Sequence, residues 1–368
     1  MLATPVSSPR FAGSAVLVLT LLFASAVATA ADELSPRLLL DAGSGRVLQQ
    51  QATGRLWYPA SLTKLMTLYL AFEALADGRL SLDQSLPVSQ RAAAQPAVKL
   101  GLRAGASLSV EQAIQALATI SSNDVAVVLA EALAGSEAAF ADQMTQRAAS
   151  FGMLDTRFRN ASGLPDPGQV TTARDMAILA QRLYRDFPQR MALFSARSFA
   201  FNGHRHGSHN PLLGGYPGAD GLKTGFTCDS GYNMVATATR DDRRLVAVVL
   251  GAASRASRDR QVRALLDSGF AVADALEALP ALSDLPARIS RACRPRDCCR
   301  GSVPPVWHRK AARSGRSKAG ACCWVSIPAR PMRAGRRAGR SPSWAACRRG
   351  GYCCSSGRWK GGHPGRYC

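Results

Sequence analysis

Cysteine is nearly missing from most of this 368-residue chain. Upstream of Ala287 there is one, Cys228, which excludes a disulfide framework as what holds that part together. Acidic residues are missing from the remainder. From Ala287 to Cys368 only Asp297 is negative, against 20 lysines and arginines. Up to Pro286 the balance is nearly even, with 26 basic and 24 acidic residues. The formal net charge of +21 therefore describes neither part. The near-neutral part excludes a reading of the whole chain as a nucleic-acid or membrane-surface protein. A long hydrophobic run is also lacking near the N-terminus: SAVLVLTLLFASAV is too short and too soon ended to span a bilayer.

That apolar stretch follows Arg10 and precedes Ala28-Thr29-Ala30, a small-x-small cleavage pattern. Residues 1–30 thus read as a secretory signal peptide, with the mature chain starting near Ala31. An uncleaved N-terminal anchor is the alternative. Either way the working domain is expected to be exported, in the periplasm or cell envelope.

What is present is a succession of short, well-punctuated elements. RLLLDAGSGRVLQQ (37–50) reads as a hairpin around a Gly-rich turn. SLTKLMTLYLAFEALADG predicts a helix from near Ser61 to around Gly78. Ser109 with Gln112 makes a capping box for SVEQAIQALATI, and SNDVAVVLAEALAG predicts a further helix ended by Gly135. Thr172 with Asp175 opens ARDMAILAQRLYRDF. GADGLKTGF, YNMVATATR and RRLVAVVLGA then read as three strands joined by tight turns, an antiparallel meander. RDRQVRALLDSGFAVADAL returns to helix. Strands at both ends with helices between predict an α+β fold, one antiparallel β-sheet flanked by helices with a helical subdomain. The expected organisation is a domain over 31–280 followed by a tail over 281–368.

Three places carry candidate chemistry. Ser61 and Lys64 lie one helical turn apart, so their side chains should meet. A serine hydroxyl needs a base to become a nucleophile, and a buried lysine of lowered pKa can be that base. The first helical turn also aims backbone N–H groups at an oxyanion. By itself SxxK arises roughly once by chance in a chain this long. Ser121-Ser122-Asn123 places a hydroxyl and an amide between two helices, where Ser122 or Asn123 could equally be an N-cap. Lys223-Thr224-Gly225 lies on a predicted strand and offers a cation and a hydroxyl suited to a carboxylate. Gly225 leaves room for a substrate backbone at the strand edge. An edge-strand lysine that discourages aggregation is the structural alternative. The three in this order form the SxxK, SxN and KTG set of penicillin-binding proteins and class A β-lactamases.

The sequence resembles the low-molecular-mass penicillin-binding proteins that act as serine-type D-alanyl-D-alanine carboxypeptidases. YPASLTKLMT, TISSNDVAVVLAE, FRNASGLPDPGQVTTARDMAILA and DGLKTGFTCDSGYNMVATATRDDRRLVAVVLGA all look like blocks of that family, over roughly residues 35 to 276. The resemblance implies the β-lactamase/transpeptidase-like fold, with no metal and no cofactor. It implies that Ser61 attacks the carbonyl between the last two D-alanines of the peptidoglycan stem peptide, with Lys64 as general base. Ser121 would pass the proton to the leaving D-alanine, and Asn123 would position substrate and Lys64. Lys223 and Thr224 would hold the terminal carboxylate, and the backbone N–H groups of Ser61 and Phe226 would form the oxyanion hole. β-Lactams would acylate Ser61 as covalent inhibitors. Arg258 stands where the family often has a second cation near the carboxylate; Arg255 competes for that role, and an exposed arginine at a helix start is the plain alternative. A DD-endopeptidase, a β-lactamase and a non-catalytic cell-wall-binding protein share the fold. No glutamate motif for fast deacylation stands between the SxN and KTG motifs.

Other residues read as structural. His204, His206 and His209 lie in FNGHRHGSHN, which reads as a loop without flanking carboxylate or cysteine, so a metal is not expected. Cys228 reads as a small packing residue. The family usually continues into a β-rich domain and often an amphipathic anchor, which would attach it peripherally to the inner membrane. Here the tail has no sustained period and is crowded with Arg, Gly, Cys, Ser, Pro and Trp. It reads as a frameshift product beginning near 285–288 and disordered. A disulfide-rich module and a basic nucleic-acid arm are its alternatives; the irregular cysteine spacing speaks against the first and export against the second.

Overall fold

The computed structural model of the protein describes residues 35–272 and 276–287. The expected signal peptide and most of the expected tail lie outside these residues. The chain opens with the expected hairpin, β1 (Arg37–Asp41) and β2 (Val47–Gln51), paired antiparallel. A 3-10 turn (Ala60–Thr63) then leads into α1 (Lys64–Ala76). Helix α1 is buried on all sides, with Leu65, Met66, Leu68, Ala71 and Phe72 at its centre, as befits a helix that is apolar all round.

Around it stand the short strand β3 (Ser85–Pro87), the single turn α2 (Gln90–Ala93), the strand β4 (Ser107–Ser109), and the helices α3 (Val110–Thr119), α4 (Asn123–Ala134) and α5 (Glu137–Ser150). The expected capping box starts α3: the Gln112 N–H donates to Ser109 Oγ, and Gln112 Oε1 accepts from the Ser109 N–H. Helix α5 escapes the sequence reading because its apolar stripe is sparse. Phe140, Met144 and Ala148, with Glu137 and Ala141, make its buried face, and only two of these are large apolar residues.

Helix α6 (Ala173–Asp186) begins at Thr172, whose hydroxyl accepts from the Asp175 N–H, as expected. Next comes a small hairpin, β5 (Ser198–Phe201) and β6 (His204–Gly207). This corrects the loop reading of the histidine segment. Asn202 and Gly203 both have positive φ, 47° and 76°, the requirement of a two-residue hairpin turn. His206 stacks on Phe199 at 5.2 Å.

The meander follows as β7 (Ala219–Thr227), β8 (Gly231–Arg240) and β9 (Arg243–Ala252), and α7 (Arg255–Ala271) completes the body. Helix α7 starts three residues earlier than its sequence pattern suggests, because Ser254 caps it by accepting from the Ser257 N–H. The early hairpin joins the late meander in one antiparallel sheet, in the order β2-β1-β9-β8-β7. Alternation splits that sheet between two cores. Leu38, Leu40, Val235, Val246 and Val248 face the helical region, whereas Leu39, Met234, Ala247 and Val249 face Val262 and Leu266 of α7. The packed body continues past residue 280. Leu282 and Leu285 are buried, the Val47 N–H donates to Pro280 O, and Arg174 Nε donates to Leu285 O. Strand β7 ends the sheet, so its outer backbone groups face the helical region's rim rather than another strand.

Candidate active site

The 3-10 turn carrying Ser61 is fixed from several directions. Asn233 of β8 donates to the carbonyls of Tyr58 and Pro59 and accepts from the Gly251 N–H. Trp57 exchanges two backbone hydrogen bonds with Thr171, and its ring N–H donates to Ser230 O. Gly163, at φ 87°, lies against Ala60 so closely that a Cβ there would sit 1.9 Å from the Ala60 carbonyl oxygen. Only glycine allows that approach.

The room at Gly225 is taken by the protein itself. A Cβ at Gly225 would stand 3.1 Å from both Pro59 O and Ser61 N. The absent side chain lets β7 approach the nucleophile turn, which corrects the expectation that it makes space for a substrate backbone.

Lys64 is completely buried beneath Ser61. Its Nζ is 3.2 Å from Ser61 Oγ, donates to Asn123 Oδ1 at 2.8 Å and to the Ser162 carbonyl at 2.5 Å. Burial holds its ammonium well below the usual lysine range, the charge of Lys223 pushes further down, and Asp124 opposes weakly. A neutral amine has two N–H donors and one lone pair. In that form Asn123 and Ser162 would accept from the two N–H groups, and the lone pair would be free for the Ser61 hydroxyl. The geometry is that of a base hydrogen-bonded to a nucleophile.

Asn123 opens α4, with Ser122 at the cap position making no side-chain capping bond. Its amide Nδ2 donates to Pro96 O and its backbone N–H to Val98 O. The neighbouring Asp124 accepts from the N–H groups of Leu100, Gly101 and Leu102. The 96–102 loop is thereby tied to the same turn. Ser121 is buried and holds a positive φ of 64°. Among the described residues its Oγ has no hydrogen-bond partner within the protein. A non-glycine residue in this region costs about 1–3 kcal/mol and persists where the surroundings impose it.

Lys223 is 2% exposed on the inner part of β7, donating to Thr224 O at 3.1 Å. Burial, and then Arg258, push its ammonium down to about 7. Arg258 is itself buried, with Asp259 at 2.6 Å, so the exposed helix-start reading fits Arg255 and not Arg258. Thr224 is half-buried on the alternate face of the strand, and Phe226 is exposed.

Two features escaped the sequence reading. The Ser162 carbonyl is a backbone group, for which no side-chain pattern exists. His209 donates its N–H to Thr119 O, and burial, then Lys223, Arg255 and Lys64, push its imidazole down to about 4. It stands neutral among cations. Its position in the histidine-rich segment was visible, its nearness to Lys223 was not. Cys228 is also misread: it is exposed in the β7–β8 turn, not packed. Thr227 and Ser230 close that turn with reciprocal hydrogen bonds and leave the cysteine outside.

Ser61, Lys64 and Asn123 are thus hydrogen-bonded together, Lys223 acts on Lys64 through charge, and Arg258 acts on Lys223. A sequence profile of the peptidase S11 family, D-alanyl-D-alanine carboxypeptidase, matches residues 25–254. The chain belongs to this family. It is 38% identical over 240 residues to the D-alanyl-D-alanine carboxypeptidase DacC of Escherichia coli, covering 63% of this chain and 60% of that protein. The crystal structure of the carboxypeptidase DacD from Francisella tularensis is similar at a TM-score of 0.63 and 30% identity, over 64% of this chain and 70% of that one. Penicillin-binding protein D2 of Listeria monocytogenes, solved with ampicillin bound, matches at 0.60 and 32%, over 65% of this chain and 97% of that one. This chain spans about 60% of the length of the curated relatives it matches first.

Proposed function

We propose that the protein is a serine-type D-Ala-D-Ala carboxypeptidase that trims the stem pentapeptide of peptidoglycan outside the cytoplasm. The observation that carries this is the buried Lys64, whose Nζ lies 3.2 Å from Ser61 Oγ and is held there by Asn123 Oδ1 and the Ser162 carbonyl. Ser61 Oγ attacks the carbonyl carbon between the two terminal D-alanines as its proton passes to Lys64 Nζ. The oxyanion is held by the backbone N–H groups of Ser61 and Phe226. Ser121 relays the proton to the leaving amine nitrogen, and D-alanine departs. Water then cleaves the Ser61 ester, returning the hydroxyl and releasing the shortened peptide. Asn123 holds Lys64 in place. Lys223 and Thr224 bind the substrate's terminal carboxylate, with Arg258 strengthening the positive field behind Lys223. β-Lactams enter the first half of this cycle and remain on Ser61.

The catalytic body is read as residues 31–287, with the basic cysteine-rich remainder as a separate, frameshifted tail. Among the described residues no helix is long and apolar enough to cross a membrane.

D-Alanine release from a pentapeptide tests the mechanism. Ser61→Ala and Lys64→Ala are each expected to lose at least about a thousandfold in rate, and Ser61→Ala is expected to lose labelling by a fluorescent penicillin. Equal release by wild type and both variants would sink it. Nitrocefin turnover above about one per second would make the protein a β-lactamase instead, and cleavage of cross-linked dimers in preference to pentapeptide would make it an endopeptidase.

A further inference from the structure

Among the described residues four large hydrophobic side chains are strongly exposed, and one of them, Phe226, directly follows the Lys223-Thr224-Gly225 segment. Its ring is 44% exposed and stacks on Tyr232, centroids 4.3 Å apart and planes 30° from parallel. The two residues are opposite one another in the β7–β8 register. Residues two apart on a strand project from the same side, so Phe226 shares its side with Thr224. Tyr232 stacks against the Phe226 ring, and nearly half of Phe226 is still exposed. An open aromatic ring next to the Lys223-Thr224 pair offers a ligand there an apolar face beside polar groups.

Direction follows from the order of groups along β7, taking the proposed function as its basis. The carboxylate end of the substrate lies at Lys223 and Thr224, and the scissile carbonyl lies at the N–H of Phe226. The acyl part of the substrate, on the far side of that carbonyl, must then run onward past Phe226 toward Thr227. We propose that the Phe226–Tyr232 stack is an acyl-side subsite that takes a flat apolar substituent on the substrate or inhibitor. In a stem peptide this is the apolar side-chain surface preceding the scissile bond. In a penicillin it is an aromatic acylamino group, whose ring can stack on the open face of Phe226.

The rival explanation is that the pair only stabilises the β7–β8 hairpin, as cross-strand aromatic pairs do. A ratio separates the two. Acylation rate constants of the full chain are measured for benzylpenicillin, which carries a phenyl group, and for 6-aminopenicillanic acid, which lacks the acyl side chain. Any shared effect on nucleophile, base or oxyanion hole cancels between them. Phe226→Ala is expected to lower the benzylpenicillin preference about tenfold. Tyr232→Leu is expected to lower it less, about threefold, by unseating the ring. Phe226→Tyr is expected to keep the preference. An unchanged ratio in both Phe226→Ala and Tyr232→Leu, with only a lowered Tm, overturns the subsite and leaves the acyl-enzyme reading intact. A wild-type chain acylated by neither compound overturns both.

Discussion

Strand β7 holds two charged groups three residues apart, and the structure treats them in opposite ways. Asp220 is surrounded by donors: Tyr184, Thr237, Thr239 and Arg244 all reach its carboxylate, and the Arg244 guanidinium lies 4.0 Å over the Tyr184 ring. Burial, and then the Asp220 charge, hold the Tyr184 hydroxyl protonated far above the usual phenol range. This end of the strand is a closed network. Lys223 is more deeply buried, yet among the described residues no carboxylate pairs with it, and its strongest charged neighbour, Arg258, repels it. A buried group left uncompensated is destabilising, and what it lacks is what a ligand can bring. An anion would pair with Lys223, and under the proposed function that anion is the terminal carboxylate of the substrate.

The contrast can be broken most sharply by removing each charge in turn. Lys223→Met is expected to lower kcat/KM for pentapeptide by about a hundredfold to a thousandfold without lowering Tm, since it removes an unpaired buried cation; calorimetry and steady-state kinetics together decide it. Asp220→Ala is expected to do the reverse. It leaves four donors without their acceptor and should cost about 2–3 kcal/mol, with penicillin acylation of the folded protein within about twofold. A fall in Tm for Lys223→Met as large as for Asp220→Ala would erase the distinction.

The open end should also be sensitive to pH. Lys223 must be charged to hold a carboxylate, and its ammonium is pushed down to about 7. As pH rises through that value the charged fraction falls, so kcat/KM should decline by up to about tenfold per pH unit on the alkaline side. Lys64 must be neutral to act as base, and burial and the Lys223 charge favour that form. A bound carboxylate favours the charged Lys223, so kcat should stay flatter than kcat/KM. A kcat/KM profile level between about pH 6 and 9 would refute this.

The smallest effect concerns strain. Ser121→Gly and Ser121→Ala both remove the hydroxyl, but only glycine relieves the φ of 64°. The glycine variant should be more stable than the alanine variant by about 1 kcal/mol, with D-alanine release slowed alike in the two. Equal stability in urea unfolding would mean that the turn stores no strain.

Much of this was legible beforehand because it is local. Ser61 and Lys64 meet because one helical turn separates them, and the caps at Ser109 and Thr172 could be read from adjacent residues. Helix α5 was not read, because three apolar positions among alanines and polar residues give a weak stripe. The burial of Arg258 and the exposure of Cys228 were misjudged because each depends on what packs over it. Gly225 was rightly singled out, but the chain it admits is the nucleophile turn rather than a ligand. The proposed roles of Thr224 and of the Phe226 N–H rest on the family resemblance and on their place along β7.

By itself the sequence determined most of the elements, the pairing of early hairpin with late meander, and the chemical groups available. Period, caps and turns act over a few residues, so they are written where they act. Only the tertiary structure decided the state of those groups. The proton affinity of Lys64 depends on its burial, on the charge of Lys223 from a strand far along the chain, and on the opposing charge of Asp124. Desolvation and Coulomb fields act through space, and no spacing along the chain encodes them.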